Sequence, residues 1–314
     1  MRHQDYTVGW ICALPTEMAA AQATLDERHN PLQQDPNDHN TYILGRIGVH
    51  NVVLACLPSG VTGTIAAAIV AMQMFSSFNR LRFGLMVGIG GGAPSKENDI
   101  RLGDVVVSKP TGTSGGVVQY DFGKTVQEGR FIQTGSLNRP PNELLTALAV
   151  LEAKHLVEGH GLSNHLSQMA VGCPDMKAQF APPDEHPDRL YEAEYDHPEE
   201  NTTCSKCDRD RLVGREPRPS AVPAIHYGLI ASGDQVMRHG TTRDRLRREL
   251  NVLCFEMEAA GLMDSFPCLI IRGICDYADS HKNKHWQPYA AATAAACAKE
   301  LLCLIPGNKV EPST

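Results

Sequence analysis

IIRGICDYAD, residues 270–279, is apolar at five of the six positions ahead of Asp276, glycine counted among them. A short, partly β-branched run of this kind predicts a buried strand over 269–275 with Asp276 at its carboxyl end. Working outward, 252–255 reads as a second strand leading into a helix over 257–264, and 288–304 as an Ala-rich helix. Toward the N-terminus the alternation continues. Strands are predicted over 225–232, 102–108 and 81–87, and helices over 241–250, 142–157 and 62–75. A hairpin is predicted over 41–57 around Gly48, and a strand over 7–14 followed by a helix over 15–25. This alternation predicts an α/β fold, a single mixed β-sheet flanked by helices in three layers. Open sheets of that class place ligands beyond the carboxyl ends of strands, where Asp276 falls.

The periodicity is lost between about 158 and 223. Prolines and charges crowd together there, as in APPDEHPDRLYEAEYDHPEE (181–200), so a long loop-rich insertion is expected. Loops of that length usually either cover a site or lack order. The chain, 1–314, is read as one domain that includes the insertion, with a polar tail over 307–314 resembling a linker stub.

With 314 residues, 42% hydrophobic and 21% charged, the chain can bury a large core without disulfides. Six of its ten cysteines (Cys12, Cys56, Cys254, Cys268, Cys297 and Cys303) sit in apolar strand or helix patterns, as reduced packing residues do. The polar start Met1–Asp5 lacks the features of a secretory signal, and no apolar run approaches the roughly 18 to 20 residues of a membrane span. A cytoplasmic protein is expected. The net charge of −7 argues against nucleic-acid and anionic-membrane partners and favours a small diffusing substrate.

Three stretches carry candidate chemistry. FEMEAAG (255–261) delivers Glu256 and Glu258 from a strand to a helix start, where a carboxylate can accept hydrogen bonds from sugar hydroxyls or simply favour the helix terminus. Asp276 beside its apolar strand is placed to be desolvated, to hold a proton and to act as a general acid; the alternative is a turn aspartate. VGIGGGAP (87–94) gives a glycine run after a strand, whose backbone can approach a ligand closely. It has neither the dinucleotide-binding spacing nor the Gly-Lys-Ser/Thr of a phosphate loop.

Taken together, VGIGGG, LGDVVVS (102–108), ASGDQVM (231–237), FEMEAAG and RGICDYAD (272–279) resemble the nucleoside phosphorylase and nucleosidase superfamily. The likeness is to its methylthioadenosine nucleosidase and fungal purine-nucleosidase-like branches. It implies cleavage of the bond between a purine and ribose. Position by position, Glu17 in ALPTEMAA resembles the glutamate that activates the attacking water. Met257 and Glu258 resemble the pair beneath the ribose, Asp276 the acid that protonates N7, and Arg272 the residue that steadies this strand end. Gly90 and Gly91 fall in the glycine run, and Val236 and Met237 fall where the family lines the base pocket. An aromatic ring is usual there, and a serine or threonine is common where Ile89 stands. Relatives assemble as dimers, trimers or hexamers, so a homo-oligomer is expected.

Water is the expected nucleophile. The bacterial hexameric phosphorylases hold phosphate with a Gly-Asp-Pro turn and a following arginine, whereas residues 13–17 here lack an arginine and offer Glu17, which would repel phosphate. Phosphorolysis and a non-catalytic nucleotide-sensing or assembly module are the alternatives. His281, Lys282 and Lys284, with Arg215 and Arg218 of the insertion, could contact phosphates of a nucleotide substrate or form a solvated face. Immune proteins of fungi and bacteria that resemble this chain use the fold to deplete purine nucleotides. No cofactor is expected for the reaction. Cys204 and Cys207 form Cys-x-x-Cys with His197 upstream, which offers a structural zinc as an alternative reading, with Cys173 or His186 as a fourth ligand.

Overall fold

The computed structural model describes residues 1–129, 131–198 and 203–307; positions 199–202 of the insertion and most of the polar tail, 308–314, lie outside the described residues. In chain order, the first half contains β1 (Val8–Cys12), α1 (Pro15–Ala23), β2 (Glu27–Arg28), β3 (Tyr42–Ile47), β4 (His50–Cys56), α2 (Thr64–Ser77), β5 (Phe83–Gly92) and β6 (Val105–Ser108). Then come β7 (Val117–Gln119), β8 (Gly123–Thr125), β9 (Phe131–Gln133), α3 (Asn142–Glu158), α4 (Leu162–Gly172) and β10 (Ile225–Ser232). The chain continues through α5 (Gly240–Leu250), β11 (Val252–Glu256), β12 (Cys268–Asp276) and α6 (Gln287–Leu302).

All five residues of β1 are buried, and they alternate between two apolar clusters. Val8, Trp10 and Cys12 pack with α1, α3, α4 and α6, whereas Ile11 packs with α2. In β12, Leu269 and Ile271 face the first cluster and Ile270 and Ile274 the second. Side chains of a strand alternate between faces, so an unbroken apolar run is what a sheet covered on both sides requires. The three-layer α/β arrangement expected from the sequence is therefore present.

The main sheet runs β11-β10-β6-β12-β5-β1-β4-β3-β2 and is mixed. β5 is parallel to β1 and β12, while β12 is antiparallel to β6. β11 also pairs back onto β5 through Cys254–Gly92 and Phe255–Gly91. That contact closes β5, β12, β6, β10 and β11 into a ring and brings the glycine run, FEMEAAG and Asp276 to one rim.

Three expectations need correction. The helix predicted over 257–264 is only a single tight turn, Ala259–Gly261. Gly261 lies against the backbone of Thr64, where a side chain would collide, and the chain must reach Pro267 and re-enter the sheet within six residues. The insertion was expected to lack sustained periodicity, but α4 lies within it, burying Leu162 and Met169 with Leu166 partly buried, at helical spacing. Residues 109–141 carried no predicted strand, yet β7 extends β10 and β8 pairs with β9. Among the described residues no helix is long and apolar enough to cross a membrane.

Candidate active site

Glu17 enters from the first turn of α1, directly after β1. Pro15 starts the helix, and the Glu17 carboxylate turns back so that Oε2 accepts the Ala13 and Leu14 amides at 2.6 and 3.0 Å. Oε1 accepts the Ile89 amide at 2.8 Å, tying the helix to the glycine run. Gly88 makes this approach possible, because a Cβ there would collide with Glu17 Oε1 and stand 2.7 Å from Arg272 Nη1.

Arg272 is fully buried in the middle of β12. Its Nη2 contacts Glu256 and lies 3.5 Å from Glu258 Oε2. Glu256 in turn accepts the Glu258 and Ala259 amides, and Glu258 Oε1 is 3.4 Å from the Gly63 amide. One guanidinium therefore serves a cluster of buried carboxylates, Glu17 included. Burial raises the proton affinity of Glu258 to about 7 against the opposing pull of Arg272, with Glu256 and Glu17 pushing the same way as burial. Glu17 is raised chiefly by burial.

Asp276 ends β12. Its Oδ1 accepts the Ala278 amide at 2.9 Å, and Lys282 Nζ stands 3.1 Å from Oδ2. Gly91 faces this carboxylate so closely that a Cβ would lie 2.8 Å from Oδ1. Asp276 holds the Lys282 ammonium above its usual range.

Glu17 and Glu258 line an open cleft beside Asp276. Glu17, Gly90, Gly91, Met257, Glu258, Val236, Met237 and Lys282 all line it. Asp276 sits in the wall between this cleft and a second cavity beneath the insertion. Its carboxylate neighbours Gly91, Cys275, Ala278 and Lys282 line the first, and Asp276 itself lines the second. Phe255 also contributes to the lining of the cleft, and its ring packs edge-on against Tyr120 with centroids 5.8 Å apart. Thr62, Gln235 and Gln287, unforeseen from the sequence, complete the polar lining, and Asp234 anchors α2 through Thr64.

The proposed phosphate contacts separate. Arg215 binds Asp188 and the Tyr277 hydroxyl, each at 2.8 Å, and Arg218 binds both oxygens of Asp104; neither lines the cleft. His281 is buried and stacked on Tyr191 at 4.1 Å, and burial lowers its proton affinity to about 4, so its ring is neutral at pH 7. Lys282 spends its charge on Asp276. Lys284 alone keeps a place near the mouth, in a shallow basin that also includes Arg238.

A model of the Phosphorylase superfamily matches residues 7–303, nearly the full chain. The chain belongs to this superfamily. Among its superfamily relatives, a nucleotide-binding leucine-rich repeat (NLR)-like protein of Hyaloscypha variabilis is 48% identical over 98% of this chain, which spans only 30% of that protein. A 5′-methylthioadenosine/S-adenosylhomocysteine nucleosidase of Mycobacterium bovis is 28% identical, covering 96% of this chain and 97% of the relative. The ATP nucleosidase Cap17 of Escherichia coli is 24% identical over 93% of this chain and half its own length. In fold, the chain matches a methylthioadenosine/S-adenosylhomocysteine nucleosidase of Helicobacter pylori with a TM-score of 0.59 at 15% identity, covering 95% of this chain and 97% of the other.

Proposed function

We propose that this Phosphorylase-superfamily chain cleaves the N-glycosidic bond of an adenine-type nucleoside or nucleotide with water, releasing free base and ribose or ribose phosphate. The observation that supports the reading is a cleft lined by Glu17 and Glu258, with Asp276 in the wall between it and the cavity beneath the insertion. Loss of the base leaves positive charge on the sugar while negative charge builds on the purine. Glu258 is positioned to hold the ribose hydroxyls and stabilise the cation. Asp276, ion-paired with Lys282 at rest, takes up a proton from solvent as substrate binds and passes it to N7, after which its carboxylate returns to the ion pair with Lys282. Glu17 Oε1 keeps a lone pair free of its amide bond and can take a proton from the attacking water. The nucleosidase relatives support this reading.

Water is favoured over phosphate by the charges in place. Among the described residues lining the cleft, Lys282 is the one cation, and Asp276 occupies it. A phosphorylated substrate is favoured by the adjoining basin, where Arg238 and Lys284 flank the Val236, Lys282 and Gln287 shared with the cleft. Base release from adenosine, methylthioadenosine, inosine, AMP and ATP should be measured with and without phosphate. We expect release from an adenine compound independent of phosphate. An absolute requirement for phosphate would replace hydrolysis with phosphorolysis, and binding without release would replace the enzyme with a sensing module.

A pH profile follows from Glu258. As a sugar-binding carboxylate it works ionised, so kcat/KM should rise through about pH 7 and this limb should vanish in Glu258→Gln. Stability should move the opposite way. The unfolded chain releases this proton near pH ~4.3, so between there and about 7 the folded state binds more protons and loses stability as pH rises. Thermal melts across that window check the second limb.

A further inference from the structure

His197, Cys204 and Cys207 lie in the insertion, and a ligand atom from each falls within 4.8 Å of the other two. The tight turn Cys204–Lys206 folds the second cysteine back toward the first, with the Cys207 amide donating to the Cys204 carbonyl at 3.4 Å. Two thiols and an imidazole form the soft donor set of structural zinc, whose bonds of about 2.1–2.3 Å hold neighbouring donors about 3.5–4 Å apart. Cys173, at the end of α4, and His186, stacked face to face on His285 at 3.4 Å, stand outside this cluster.

A second observation points to the remaining donor. His281 is 7% exposed, and neither of its ring nitrogens has a hydrogen-bond partner. Asp279 Oδ1 is 3.8 Å from Nδ1, beyond hydrogen-bonding reach. A buried imidazole without partners costs free energy unless something accepts its lone pair. Its ring centroid is 5.3 Å from that of His197, and its carbonyl is 4.0 Å from Cys204 Sγ. The insertion is already docked on this loop, since the His197 amide donates to Ser280 Oγ at 2.9 Å.

We propose that His197, Cys204, Cys207 and His281 form a structural zinc site, with His281 swinging in as the fourth ligand. Binding displaces one proton from each thiol and leaves both histidines neutral. The ion fastens the insertion to the loop after β12, where Lys282 follows His281 directly and reaches Asp276. The site is independent of the glycosidic reading and stands or falls on metal measurements alone.

Protein purified without chelators should contain one zinc per chain by mass spectrometry, and Cys204→Ser/Cys207→Ser should contain none. Cobalt-exchanged wild type should show a thiolate-to-cobalt charge-transfer band and intense tetrahedral d–d bands. In His281→Ala the charge-transfer band should persist while the d–d bands weaken and shift as water takes the vacated position. Chelating zinc from the wild type should speed proteolytic cleavage within the insertion, a readout that needs no variant to fold. A wild type that neither carries nor takes up zinc or cobalt, or one with a Cys204–Cys207 disulfide lowering its mass by two hydrogens, would overturn the site. An unchanged cobalt spectrum in His281→Ala would overturn the fourth ligand.

Discussion

Asp276→Asn should lower kcat for base release by about two to four powers of ten while leaving KM nearly unchanged, the loss typical of a missing general acid. The amide is nearly isosteric and its oxygen can still accept the Ala278 amide, so the strand end keeps its shape. What disappears is a group that can hand a proton to the leaving base. Single-turnover measurements separate this from slow product release, and a titration with a non-cleavable nucleoside reports binding. Near-wild-type turnover would remove Asp276 from the chemistry, and with it the assignment of Lys282 as the cation that steadies the spent carboxylate.

Arg272→Met should have the largest effect on stability, about 3–5 kcal/mol at neutral pH, because it leaves buried carboxylates without their counter-charge. The methionine fills much of the volume, so the loss reports charge more than cavity. Relief is available only through protonation: Glu258 and Glu17 already hold their protons above the ordinary range, and without the guanidinium they hold them more firmly. The deficit against wild type should therefore shrink at pH 5 and widen at pH 8. Denaturant titrations at the two values check this, and a deficit independent of pH would mean that the arginine contributes packing alone.

The sheet was legible because strands covered on both faces need largely apolar runs, and 8–12, 83–87 and, but for Arg272, 268–275 supply them. The site was less legible. Glu17, Glu258 and Asp276 are singled out by motifs that resemble a family; Glu17 and Glu258 line one cleft, and Asp276 lies in its wall and lines the neighbouring cavity. The ion pair of Lys282 with Asp276 could not be read, since it depends on how a six-residue loop folds back. The family resemblance gives Arg272 the role of steadying a strand end, and in the fold its guanidinium is the buried counter-ion of Glu256 and Glu258. A charged residue inside an otherwise apolar strand was the available signal that carboxylates had to meet it. α4 was hidden because its polar residues, Ser163, Asn164, His165 and Ser167, mask a stripe of only Leu162, Leu166 and Met169. The short β7, β8 and β9 carry too few residues for any period to register.

The closure of β11 onto β5 separates two kinds of residue. Of the groups proposed to break the bond, Glu258 and Asp276 sit at the rim of the ring and Glu17 on a helix tied to it through the Ile89 amide, whereas Arg238 and Lys284 sit on connections outside it. Under the proposed function, preference for what hangs from the sugar's far end can be altered through these two solvent-facing side chains while the ring stays intact.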